Sequence, residues 1–303
     1  LSCIGKCFTA VLNARLTKYL DELGIIGEEQ AGFRGYSTFD HIFVLHSIID
    51  IYLHRKKKLY CAFIDYKKAF DLVDRTSLWS KMIAYGINGK FIKVIYNMYE
   101  NAKSCVTNNG VRSDFFACNI GVRQGENLSP LLFSIYLNDF NSFISEKYDG
   151  LKYFSEDCSK FLENDDVEVY LKIFSMLYAD DTIVMAETAD DLQIALKAVN
   201  DYCQTWFLTV NTSKTKVVVF SRGKIRKLPI FKFGNDIIEV THDYVYLGSI
   251  LCLITTIPLK KQWRNKFPKQ EGPCLAFCIR VGSLVYLYIL CVNYLTNLLH
   301  LFC

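Results

Sequence analysis

Hydrophobic positions change their spacing along this chain, and each change marks an element. Ala10, Leu12, Leu16 and Leu20 recur at helical intervals up to Gly24, which predicts an amphipathic helix. After a polar turn over residues 28–36, Ser37 with Asp40 forms a capping box. It opens a second helix through Phe39, Ile42, Leu45, Ile48, Ile49 and Tyr52. Leu59-Tyr60-Cys61-Ala62-Phe63-Ile64 has no polar interruption and predicts a strand that ends at Asp65. Asp74 reads as the N-cap of a helix through Leu78, Trp79, Met82 and Ile83, closed by Gly86, and another helix covers 92–99. Strands near 104–107 and 111–118 flank Asn108-Asn109-Gly110, a hairpin signal.

The second half repeats these signals. Ser129 and Pro130 are expected as N-cap and first residue of a helix through Leu132, Ile135, Tyr136, Phe140 and Phe143. Residues 146–168 are acidic and irregular and read as a solvated surface insertion. Two β-prone runs within 174–186 are split by Asp180-Asp181, which predicts an antiparallel hairpin with carboxylates at its tip. Thr188 with Asp191 caps a helix through Leu192, Ala195, Leu196, Val199 and Trp206. A strand follows at 217–220, then short runs either side of Gly234-Asn235, and Tyr244 to Ser249 closes the patterned region.

Composition narrows the class. With 303 residues, 51% of them hydrophobic and 22% charged, the chain can bury a core and is not a disordered segment. A net charge of +4 does not by itself announce a nucleic-acid partner, so any such footprint has to come from local clusters. Two stand out, Arg55-Lys56-Lys57-Lys58 and the group Arg222, Lys224, Arg226 and Lys227. For the first, helix capping and contact with a phosphate backbone stay equally open. The 12 cysteines follow no zinc-like spacing and no signal peptide precedes them. They read as reduced, mostly buried thiols of an intracellular, non-secreted protein, nuclear or cytoplasmic. His41, His46 and His54 read as structural. A basic stretch over 260–269 precedes 23 final residues without a formally charged side chain. A packed or non-native tail is the main reading there, and a bilayer span the minor one.

Candidate chemistry sits at strand ends. Asp65 follows a buried strand, where sheets commonly place their chemistry. Asp180 and Asp181 would repel each other and recruit Mg²⁺, or form a plain solvated turn; taken alone the pair leaves both open. Asp71 and Asp74 read as structural. The loop Gly121-Val122-Arg123-Gln124-Gly125 can press its backbone on a ligand, with a glutamine amide reading one edge.

Five ordered motifs resemble the reverse transcriptases of non-LTR, LINE-type retrotransposons. They are Gln30 to Arg34, Phe63 to Asp71, Gly121 to Phe133, Tyr178-Ala179-Asp180-Asp181, and Asn211 to Lys216, with Tyr246-Leu247-Gly248-Ser249 after them. The resemblance implies an α+β right-hand polymerase, fingers and palm, whose central antiparallel palm sheet is packed by helices. Residues 1–60 would be partial fingers, 61–250 the palm with interleaved fingers elements at 78–118, and 251–303 a divergent basic, then apolar tail without a recognisable thumb. It implies two Mg²⁺ ions on Asp65, Asp180 and Asp181, with Asp181 contributing charge more than direct coordination. Tyr66, Lys68 and Ala69 would cradle the dNTP triphosphate, with Phe70 as a gate against a 2′-hydroxyl. Arg123, Gln124 and Gly125 would touch nucleotide and template, Arg34 would steady the triphosphate, and Lys214 could protonate pyrophosphate or be a plain surface lysine. The implied partners are an RNA template, a DNA primer and retrotransposon RNA as a ribonucleoprotein, with a membrane unlikely among them. Three features depart from the pattern: the fingers loop 33–37 is one residue short and lacks a second basic residue, the motif that normally precedes Leu1 is missing, and no endonuclease lies upstream. An inactive remnant that binds RNA or protein is the alternative, and a membrane-associated protein the lesser one.

Overall fold

The computed structural model describes residues 3–27, 30, 38–100, 102–151, 175–223, 225, 227–252, 275–281 and 284–290. Contacts divide the chain into a unit Leu1–Leu253 and a unit Ile254–Cys303.

The first unit opens with α1 (Cys3–Glu22), which buries Thr9, Leu12, Leu16 and Leu20 and stops at Gly24 with φ +58°. Next come α2 (Thr38–His54) and β1 (Leu59–Ile64), then α3 (Arg75–Ala84) and α4 (Gly89–Glu100). Asp74 caps α3, its carboxylate accepting from the Ser77 amide at 2.6 Å. Four two-residue strands follow: β2 (Lys103–Ser104), β3 (Thr107–Asn108), β4 (Val111–Arg112) and β5 (Phe116–Ala117). β3 pairs with β4 around Asn109 and Gly110, both at positive φ, and β2 pairs with β5. The expected hairpin therefore forms, but as two short ladders rather than two continuous strands.

α5 (Ser129–Leu137) and α6 (Phe140–Ser145) replace the single helix expected there. Ser129 is not the side-chain cap. Leu128 holds the cap position, while the Ser129 hydroxyl donates to the Arg123 carbonyl at 2.6 Å. Most of the insertion expected at 146–168 lies outside the described residues, from 152 onward, as do Arg34 and Ser37. β6 (Ser175–Tyr178), β7 (Asp181–Ala186) and α7 (Ala189–Thr205) follow. β8 (Lys216–Phe220), β9 (Phe231–Phe233), β10 (Asp236–Thr241), β11 (Asp243–Tyr246) and β12 (Ser249–Cys252) complete the unit. Thr188 caps α7 as expected, accepting from the Asp191 amide at 3.1 Å.

Six strands form one sheet in the order β6-β7-β1-β8-β10-β9, antiparallel except for the parallel pair β8–β10. β1 lies at its centre and is buried along its whole length, because the sheet is covered on both faces. Tyr60, Ala62 and Ile64 enter a core shared with residues of α1, α3, α4, α5, α6 and α7. Leu59, Cys61 and Phe63 enter another with α2 and with Tyr246 and Leu251 of the β11–β12 hairpin. The architecture is α+β, helices packed on an antiparallel-rich sheet.

Lys81 of α3 lies inside the first core, 4% exposed. Its ammonium donates to the Tyr136 carbonyl, to Asp139 and to the Tyr202 hydroxyl, and sits 3.7 Å from the Trp206 ring centroid. Burial lowers its pKa to about 8 against the opposing pull of Asp139. Of the described cysteines, Cys61 and Cys203 are buried and free, whereas Cys3 and Cys7 are exposed on α1, contrary to the expectation of mostly buried thiols. In the second unit β13 (Leu275–Val281) pairs antiparallel with β14 (Leu284–Leu290). Among the described residues no helix is long and apolar enough to cross a membrane.

Candidate active site

The acidic hairpin forms as its pattern predicts. Tyr178 pairs with Asp181, leaving Ala179-Asp180 as a two-residue turn, with Ala179 at φ +59°. A non-glycine residue in that region is strained and needs support. Gln30 supplies it: its side-chain carbonyl accepts from the Ala179 amide at 3.1 Å, and its NH₂ donates to the Ala179 carbonyl at 3.4 Å. Gln30 is 1% exposed, and its backbone bridges in parallel to Leu177.

Asp65 reaches the same place from β1. The β1–β7 register ends at Ile64 opposite Thr182, so one step further Asp65 comes beside Asp181. Its backbone is fixed on both sides. The Asp65 amide donates to Thr215 Oγ1 at 3.1 Å, and its carbonyl accepts from the Asn211 amide at 2.7 Å. The next residue, Tyr66, bridges to Val210, and the Lys67 amide donates to the Thr209 carbonyl at 2.7 Å.

Electrostatics tie the three acids together. Burial, then the charges of Asp180 and Asp65, push the Asp181 carboxyl up to about 6. Burial raises Asp180 too, with Asp65 adding to it against a backbone hydrogen bond that pulls the other way. Among the described residues no three His, Cys, Asp or Glu side chains converge tightly enough to form a ready metal cluster. The fit to Mg²⁺ therefore rests on donor chemistry. Asp65, Asp180 and Asp181 are half-buried hard oxygen donors, and a divalent cation would relieve the repulsion that raises Asp180 and Asp181.

The other wall is the loop 121–125, stitched to the segment after Asp65. The Gly121 amide donates to the Val73 carbonyl and the Val122 amide to the Phe70 carbonyl, each at 2.8 Å. Gly121 has φ +80°, and a Cβ there would lie 2.4 Å from the Asp71 carbonyl oxygen, so only glycine fits. Arg75 clasps this wall, donating to the carbonyls of Gly121, Tyr99, Cys118 and Ile120 at 2.7–3.1 Å. Tyr99 lies beneath, its hydroxyl donating at 2.8 Å to Glu126, which is 3% exposed.

The expected ligand-contacting residues are not all alike in placement. The Gln124 amide is exposed and donates to Asp71 at 2.9 Å, so Asp71 orients it. Arg123 turns inward, donating to the Met98 carbonyl with its guanidinium 5.2 Å from the Tyr99 ring centroid. Gly125, at φ +77°, is exposed. Phe70 is half-buried and stacks on Phe133, centroids 4.7 Å apart, which fixes its ring. Tyr66 and Ala69 are buried, leaving their backbone rather than their side chains for a ligand, while Lys68 is exposed at φ +45°. Lys214 is exposed on the turn whose Asn211 holds Asp65. Arg34 lies outside the described residues.

Gln30, Arg75 and Thr215 position the site without having been marked for it by pattern. Gln30 and Thr215 stand inside the recognised motifs, so a question about what a buried polar residue bonds to would have raised them. Arg75 sits directly after the cap Asp74 with nothing in its neighbours to foretell four carbonyl partners 24 to 46 residues away.

Comparison with known proteins agrees with this geometry. The family described as reverse transcriptase (RNA-dependent DNA polymerase) matches residues 1–251. An RNA-directed DNA polymerase from the mobile element jockey of Drosophila funebris is 28% identical over 83% of this chain and 26% of that protein. A retrovirus-related Pol polyprotein from the type-2 retrotransposable element R2DM of Drosophila melanogaster is 26% identical over 71% of this chain and 20% of that protein. The chain thus spans only about a quarter or less of these relatives. Apo telomerase from Candida tropicalis shares the fold, with a TM-score of 0.53 at 16% identity over 82% of this chain and 40% of that one. The chain belongs to the reverse transcriptase (RNA-dependent DNA polymerase) family, as the non-LTR resemblance of its motifs implies.

Proposed function

We propose that this chain is the fingers-and-palm part of an RNA-directed DNA polymerase, extending a DNA primer with dNTPs on an RNA template. The observation that carries the reading is the register that sets Asp65 of β1 beside Asp181 of β7, with Asp180 at the adjoining turn. Membership of the reverse transcriptase family supports it.

In the reaction the primer 3′-oxygen forms a bond to the α-phosphorus of the dNTP as the bond to pyrophosphate breaks. Two bound Mg²⁺ ions would supply activation of that hydroxyl and charge neutralisation on the leaving group. Asp65 and Asp180 would hold them, with Asp181 adding negative charge. The backbone from Tyr66 to Ala69 receives the triphosphate, and exposed Lys68 adds positive charge beside it. Phe70, its ring fixed by the stack on Phe133, would be the gate against a 2′-hydroxyl. Gln124, held by Asp71, would read the base pair. Exposed Lys214, on the turn whose Asn211 holds Asp65, would be the cation for the departing pyrophosphate. Arg123 acts here by holding the loop onto α4 rather than by touching the template. Retrotransposon RNA, carried as an intracellular ribonucleoprotein, is the template source this reading implies.

Primer extension on an RNA template with Mg²⁺ tests it. Extension by the chain should fall to the detection limit in Asp180→Ala. Equal extension by both removes the metal assignment, and no extension by either favours a non-catalytic, RNA-binding role.

A further inference from the structure

Two basic runs that are far apart in sequence meet at one end of the sheet. Arg55-Lys56-Lys57-Lys58 leads into β1, and of the run after β8 the described cations are Arg222 and Lys227. β1 and β8 are antiparallel with Leu59 opposite Phe220, so the residue before one strand lies against the residues after the other. Contact across this junction is direct: the Arg222 guanidinium lies 3.2 Å from His54 Nδ1 at the end of α2. Lys56, Lys57, Lys58, Arg222 and Lys227 are all exposed. Asp65 is at the opposite end of the six-residue β1, about 20 Å away at the usual rise of a strand.

Two of these cations, Lys58 and Lys227, line a hollow of about 390 Å³ together with Tyr60, Ile225, Leu228, Pro229 and Ile230. Tyr60 forms part of the lining and is itself steadied edge-on by Phe231, centroids 6.3 Å apart. One acid is near, since the charge of Asp190 reaches the Tyr60 hydroxyl. Two lysines at the rim of an apolar, tyrosine-lined hollow combine what a single-stranded nucleic acid needs: cations for phosphate and an apolar surface for a base or sugar. A flat basic patch for protein would not need the hollow, and a lipid headgroup would not need the tyrosine.

The geometry points to a second nucleic-acid site at the end of the sheet opposite the carboxylates, holding the phosphate backbone and one nucleoside of single-stranded RNA between Lys58, Lys227 and Tyr60. The choice of RNA as ligand rests on the polymerase reading. The site gives an RNA strand a hold outside the catalytic cleft.

Anisotropy of a labelled single-stranded RNA oligonucleotide, measured in EDTA across a salt series, tests the site apart from catalysis. Lys58→Gln/Lys227→Gln should bind about tenfold more weakly at low salt. Its plot of log affinity against log salt should flatten by about 1.4, at about 0.7 per lost contact with a single strand. Lys58→Arg/Lys227→Arg should restore both values. Both lysines are exposed, so the thermal midpoint should stay put and report that the variants are folded. Unchanged affinity and slope in the glutamine pair overturn the site. So does loss of binding to phosphatidylserine–phosphatidylcholine vesicles with RNA binding intact. A flattened slope together with absent primer extension upholds the site and removes the polymerase reading instead.

Discussion

The two ends of β1 are built on opposite terms. At the Asp65 end, position is fixed by buried and part-buried hydrogen bonds: Thr215 and Asn211 hold Asp65, Gln30 holds the Ala179 turn, and Arg75 holds the loop carrying Gln124 through the Gly121 carbonyl. At the Lys58 end Lys56, Lys57, Lys58, Arg222 and Lys227 are exposed to solvent. Chemistry at a phosphorus atom needs placement to a fraction of an ångström, whereas long-range attraction to a phosphate backbone needs only charge of the right sign. Substitutions that shift backbone should therefore damage the first end far more than the second.

The largest effect is expected from Gly121→Ala. With a Cβ 2.4 Å from the Asp71 carbonyl and φ at +80°, the loop must leave the Asp71 segment, at about 3 kcal/mol or more. Urea denaturation should show the loss, and a change below about 1 kcal/mol would mean the two walls are not stitched as described.

A slightly smaller effect is expected from acid acting on His41 of α2, which packs against the rings of Tyr178 and Tyr246. Burial lowers its pKa from 6.5 to about 4. The unfolded chain takes up the proton first, so this group's stabilisation is complete above pH 6.5 and is lost as pH falls through 4. The loss is on the order of 3 kcal/mol. His41→Phe should flatten stability between pH 6.5 and 4, leaving the same-signed contribution of buried His46 and the opposite-signed ones of Asp180 and Asp181. An unchanged pH profile would count against a neutral, buried His41.

The smallest effect on stability is expected from Gln30→Ala, which removes two hydrogen bonds to Ala179 and should cost about 1–2 kcal/mol. Because the turn carries Asp180, primer extension should fall more than stability does. Loss of the two in proportion would reduce Gln30 to a fold residue.

The elements of this fold were legible where local pattern decides them. An uninterrupted apolar run made β1 a strand covered on both faces, and paired acids between β-prone arms made the β6–β7 hairpin. What pattern could not show was which polar groups meet across long sequence separations. Lys81 sits among helix-forming neighbours with no sign that Tyr136, Tyr202 and Trp206 will enclose it. Arg123 reads as a ligand contact but turns inward, because the Met98 carbonyl and the Tyr99 ring lie behind its loop. Ser129 reads as a cap but bonds back to Arg123, since the loop's own carbonyl competes for its hydroxyl. The two basic runs became one feature only through the β1–β8 register.

The central claim is that acids from β1 and β7 act as one site. Single-nucleotide incorporation on an RNA template, compared among the chain, Asp65→Asn, Asp181→Asn and the double variant, tests it most directly. Groups that work as a unit fail together, so each single variant should already show nearly the whole loss of the double. Losses that simply multiply, as for independent sites, would contradict the account.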